Sequence, residues 1–142
     1  MKTRARCAIS YIFATFAFLW ALGTVCYEWG YFEDFEKVDV WHKIICVYQG
    51  LLVLLTIWCF FNHPYYTHKV LLAGAIYSAV LPALFLAMVL FGVIYYYPNV
   101  EFEIDAVSLI SITSSAIVSA LLFWSAHKEK RVIPQSSKAD VK

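Results

Sequence analysis

Residues 27–43, YEWGYFEDFEKVDVWHK, set five carboxylates and six aromatic rings into seventeen positions between two apolar runs. Carboxylates at that density suit three kinds of chemistry. A pair with pKa values pushed apart can act as general acid and base, a convergent set can hold a hard cation such as calcium, and a scattered set merely keeps a surface wet. The acid–base candidates are Glu28, Glu33, Asp34, Glu36 and Asp39. Nothing in their spacing pairs two of them, so the stretch reads first as an orienting and docking loop. Its expected partner contacts are Glu28, Trp29, Glu33, Asp34 and Glu36. Phe32 and Phe35 lie on an apolar stripe with Val38 next in line, which leaves Glu33, Asp34 and Glu36 off it. A short amphipathic turn lying on a membrane surface has this pattern.

Other chemistry is sparse. His63 and His68 in NHPYYTHK are separated by a proline-containing loop, and His42 belongs to a different loop. A zinc site wants about four ligands, with Cys or His at close spacings, so these read as solvated histidines and no metal or cofactor is expected. The chain has no GxSxG, HExxH, CxxC or glycine-rich phosphate loop. Cys26 and Cys46 flank the acidic loop. One reading joins them in a disulfide, contributing about 3 kcal/mol through loop closure; the other leaves two small buried hydrophobes. Cys7 and Cys59 fall at juxtamembrane positions where reversible acylation occurs.

The elements that must position these groups are set by composition. The chain of 142 residues is 62% hydrophobic and 15% charged, against roughly 45–50% and roughly 25% in soluble domains. A soluble fold this small could not hide so much apolar surface. Uncharged runs cover 7–27, 44–61, 70–100 and 106–127, each near the ~20 residues that span a ~30 Å hydrocarbon core. The expected fold is therefore an all-α integral membrane protein, a compact bundle of four transmembrane helices with short loops. The helices fall at about 7–27, 44–61, 70–97 and 106–126 in a domain of residues 1–127, followed by a polar tail, 128–142. The basic start MKTRAR and the ALG triplet also suit a signal peptide, but the long run with bulky Phe16, Phe18 and Trp20 favours an uncleaved helix.

Charge gives the orientation. Both tails and the 62–69 link carry nine basic and two acidic residues, whereas 28–43 and 101–105 carry two basic and eight acidic ones. Basic flanks stay on the cytoplasmic side, which places both termini there and the acidic loops outside. Trp29 and Trp41 toward one surface, and Trp58 and Trp124 toward the other, suit interfacial belts.

Small residues indicate how helices meet in lipid. The first helix offers Ala14 and Ala21 within such a stripe, the third a ladder of Ala75, Ala79, Ala83 and Ala87, and the fourth Ser111, Ser115 and Ser119. Helices one, three and four are thus expected in intimate contact. The second, Leu-rich and aromatic, is expected to face lipid or a partner, with Gln49 directed inward or at that partner. Pro82 predicts a kink in the third. No Asp, Glu, Lys or Arg lies within the four runs, which argues against an ion path, proton relay or intramembrane hydrolase. The expected role is a non-catalytic accessory or structural subunit of a larger membrane complex, in the secretory-pathway or plasma membrane. Its partners would be membrane lipids and a membrane protein, not nucleic acid. A lipid-binding or lipid-transfer protein is the alternative, and a small surface enzyme a third reading.

Overall fold

A computed structural model describes residues 3–33, 35–61, 67–96 and 104–132. These residues form helices α1 (Thr3–Phe32), α2 (Val40–Phe61), α3 (Thr67–Tyr96) and α4 (Ala106–Val132), with a single 3₁₀ turn at Phe35–Lys37. There is no strand among them. All four helices are long and apolar enough to cross a membrane, over Thr3–Tyr31, Val40–Phe61, His68–Gly92 and Ala106–Glu129. Asp34, His63 and residues 133–142 lie outside the described residues.

α1, α2 and α4 overrun their uncharged segments, because charged and aromatic side chains do not interrupt i→i−4 bonding. α1 starts before Arg4 and continues to Phe32, and α4 carries on through Lys128 and Glu129 to Val132. The link between α1 and α2 is correspondingly short. α1 is closed by the residue after it, Glu33, whose φ of 53° places a non-glycine residue in the left-handed region. That conformation closes helix C-termini, and it costs a residue with a Cβ about 1–2 kcal/mol.

Around the bundle the corners run α2, α1, α4, α3. α1 packs closely on α2 and on α4, and α3 packs on α4, while the α2–α3 edge is looser. This corrects the expected trio of helices one, three and four. α1 and α3 occupy opposite corners, and α2 is a full member of the bundle. The reason is a different kind of notch: Gly50 leaves room for the Phe18 ring, which a Cβ there would meet at 3.2 Å. α3 is one continuous helix through Pro82.

Cys7, Ala14, Leu52, Leu71, Ala75, Val118 and Leu122 form the main core, with a smaller cluster of Ala21, Ile45 and Val107 toward the acidic end. Small residues and interhelical hydrogen bonds join the helices around this core, the contacts that matter most where the surroundings are as apolar as the side chains. Tyr48 and Tyr77 stack at 5.0 Å and each donates its hydroxyl to the other's carbonyl, at 2.9 and 3.3 Å. Ser119 donates to Ala75 O at 2.8 Å, joining α4 to α3. At the basic end Thr3 donates to Glu129 Oε1 at 2.6 Å, and the buried Arg6 guanidinium lies 4.5 Å from the centroid of the Trp124 ring.

Candidate functional site at the acidic end

Three helix ends converge on one histidine. The overrun of α1 brings Glu28 level with the first turn of α2, where His42 sits. Asp39 caps α2: its Oδ1 accepts from Trp41 N at 3.3 Å and its carbonyl from Lys43 N at 3.1 Å. Asp105 caps α4 in the same way, accepting Ser108 N at 3.2 Å on Oδ1 and Leu109 N at 3.1 Å on its carbonyl. Caps of this kind satisfy helix N–H groups left without partners and place negative charge at the positive end of the helix dipole.

His42 lies between these carboxylates. Its Nδ1 is 2.5 Å from Glu28 Oε1 and its Nε2 is 2.6 Å from Asp105 Oδ2, with Asp39 Oδ2 at 3.9 Å. An imidazolium donates to both carboxylates at once, whereas a neutral ring leaves one contact without a hydrogen. The arrangement is a clasp joining α1, α2 and α4. Burial acts to raise the Asp105 carboxyl, but hydrogen bonds from Ser108 and His42 outweigh it and hold that group below the usual carboxylate value. Glu28 Oε2 is buried with no partner among the described residues.

Beside the clasp is a cavity of about 350 Å³. α2 and its cap contribute Asp39, Trp41 and His42, α3 contributes Phe85 and Met88, and the start of α4 contributes Ile104, Asp105 and Ser108. The Trp41 indole is fixed by its Nε1–H, which donates to Ser108 Oγ at 3.1 Å. Both nitrogens of His42 are engaged by carboxylates, so the ring is not placed to take a proton from the Ser108 hydroxyl. Among the described residues no group of three His, Cys, Asp or Glu side chains could hold a metal ion.

No family model, curated protein or solved structure matches this chain. The geometry must therefore be read on its own.

Of the residues expected to contact a partner, Glu28 is committed to the clasp, while Trp29 is exposed with its ring edge-on to Phe35 at 5.9 Å. Glu33 and Glu36 are exposed. Val38 is buried, so it plugs the link rather than lying on a surface. Gln49 is not available for docking: it is fully buried and donates to Ser111 O at 3.2 Å and Ser115 Oγ at 3.1 Å. Ala14, Ala21, Ala75, Ser111 and Ser115 are buried between helices, and Ala79 and Ser119 are half-buried. Ala83 and Ala87 are exposed, which corrects their assignment to internal helix packing.

Cys7 and Cys59 are also corrected as acylation candidates, since both thiols are buried in the core and closed to a modifying enzyme. Cys26 is exposed and Cys46 half-buried, and both are free thiols. His68 belongs to the first turn of α3 rather than to a solvated loop, and its Nδ1 donates to Ala126 O at 2.9 Å. The clasp itself escapes sequence reading because its partners lie 14 and 63 positions from His42. The readable signals are the two caps, Asp39 before VWHK and Asp105 before AVS, each an aspartate directly preceding an apolar run.

Proposed function

We propose that the chain is a non-catalytic accessory or structural subunit of a larger membrane protein complex, docking through its helices and its acidic, aromatic loop. The observation that carries this reading is a small-residue face turned outward. Ala83 and Ala87 of α3 and Ala116 and Ala120 of α4 are exposed, beside a groove of about 350 Å³ walled by Ala79, Pro82, Ser119 and Phe123. Between helices in lipid, small residues let backbones approach closely. Among the described residues that surface has no occupant. Exposed Trp29 and Glu36 give the same subunit a second contact at the acidic end. The clasp supports a structural role as well, because both ring nitrogens of its histidine bond within the chain.

The test is copurification from mild detergent with mass spectrometry of proteins and lipids together. A stoichiometric larger partner is expected, lost from Ala120→Leu and Ala83→Leu variants whose own unfolding midpoints stay unchanged. Absence of any such partner counts against the reading. A lipid-handling role has its own observation, an apolar groove of about 330 Å³ between Ala8, Tyr11, Ile57, Phe60 and Phe61. Ordered lipid recovered with the pure chain, and lipid exchange lost when Ile57→Trp fills that groove, would favour it.

A further inference from the structure

The cavity at the acidic end combines charge and surface chemistry in a way that docking does not need. Asp39 and Asp105 line it, and Glu28 stands behind His42. Against these three carboxylates stand one imidazolium and two helix N-termini, each worth about half a positive charge. The balance stays negative by about one charge. No lysine or arginine lines the cavity among the described residues, and the neighbouring Lys43 sends its Nζ to the Phe35 ring, 4.4 Å from the centroid.

The rest of the wall is aromatic and apolar. Trp41 and Phe85 supply rings, and Met88 and Ile104 supply aliphatic surface. The Trp41 indole is held by Ser108 before any ligand arrives, so binding need not order it. Excess negative charge beside aromatic rings and apolar surface is the environment that holds an alkylated ammonium, through cation–π attraction and contact with its methyl groups. A metal ion fits less well, because both nitrogens of His42 are occupied and no three-ligand group is present among the described residues. The volume of about 350 Å³ is at the small end of ligand sites, which run from about 300 to 1,000 Å³, so it suits a headgroup-sized cation.

We propose that the cavity bounded by Asp39, Trp41, Phe85 and Asp105 binds an organic cation, an alkylated ammonium carried by a lipid headgroup of the choline type or by a soluble amine. The full chain, purified in a non-ionic maltoside, is titrated calorimetrically with tetramethylammonium. In parallel it is exchanged into phosphatidylcholine or phosphatidylglycerol nanodiscs, and the lipids it retains are counted by native mass spectrometry. Asp39→Asn is the informative variant. The Asp39 side chain is 56% exposed and asparagine caps helices as well as aspartate does, so charge is removed while the fold remains, as an unchanged unfolding midpoint would verify. Saturable tetramethylammonium binding, weakened at least fivefold in Asp39→Asn, without lipid preference, supports the site with a soluble amine as its source. Selective retention of phosphatidylcholine, lost in the variant, supports it with a lipid headgroup. Failure of both arms in the wild type, or binding that Asp39→Asn leaves intact, overturns the proposal.

Discussion

His42 reaches Glu28 and Asp105 from opposite edges of one ring, so its removal frees three helix ends together. Each charge-assisted bond is worth about 1.5–3 kcal/mol when shielded, but the Asp105 side chain is 42% exposed and screening reduces its share. His42→Ala should therefore destabilise the chain by about 2–3 kcal/mol, read as a lowered unfolding midpoint in detergent. The pH dependence follows from Asp105. Its carboxyl is held below the ordinary value by Ser108 and His42 against the opposing effect of burial. The folded state thus binds that proton less readily than the unfolded chain, whose aspartates titrate near about 3.9. The contribution is complete above that value and is lost as pH falls through the lowered folded one. Asp105→Asn should flatten this acid limb of a midpoint-against-pH profile while leaving the neutral plateau lower. A linear reading of the loop weighed Glu28, Glu33, Asp34, Glu36 and Asp39 alike, whereas the residues that meet are Glu28, His42 and Asp105. They meet because α1 overruns its apolar run by a turn, and hydropathy marks where charge begins rather than where helical hydrogen bonding stops.

Helix periodicity explains which parts of the interhelical contacts were legible. Residues four apart advance by about 400°, so a strict four-residue ladder rotates about 40° per step around its helix. Ala75 is buried, Ala79 half-buried, and Ala83 and Ala87 exposed, as that drift requires. The ladder therefore begins inside the bundle and winds out of it. The serines of α4 avoid this because their spacings of three and four average near 3.6, and Ser108, Ser111 and Ser115 all remain buried. α2 was misjudged for want of a small-residue stripe. Its contacts come instead from single notches, with Phe18 over Gly50 and Cys59 against Gly74 of α3. Gly74 gives the sharpest test. A Cβ there would lie 2.9 Å from Leu122 Cδ1 and 3.2 Å from Cys59 Sγ, both atoms of buried residues. Overpacking of that kind costs about 1–3 kcal/mol, and the better helix propensity of alanine returns about 1. Gly74→Ala should lower the unfolding midpoint, and Leu122→Ala should cost less in that background than in the wild type. Gly23, with nothing within 4 Å of its would-be Cβ, is the control: Gly23→Ala should be neutral or stabilising by up to about 1 kcal/mol.

On the scale of the whole molecule, the chain is a bundle with one acidic and one basic end. The Thr3–Glu129 and His68–Ala126 bonds put the start of α1 and the end of α4 at the same end of the bundle, where Arg4, Arg6, Lys69 and Lys128 also lie. Lysine and arginine decide orientation in short-looped membrane proteins, and acidic residues contribute little. The asymmetry that matters is therefore nine basic residues against two, rather than the difference in net charge. The expected outcome is a basic end in the cytoplasm and the link containing Phe35–Lys37 on the opposite side. The link offers a direct probe. Glu36 is exposed in it, while Cys7 and Cys59 are buried and silent toward a thiol reagent. In a background with both Cys26→Ser and Cys46→Ser, Glu36→Cys should react with a membrane-impermeant maleimide added to intact cells. For a protein held in an internal membrane, the reaction should require the lumenal face to be opened. Labelling from the cytoplasmic side alone would invert the assignment. It would also place the cavity proposed for an organic cation in the leaflet facing the cytoplasm, whose anionic headgroups its carboxylates would repel.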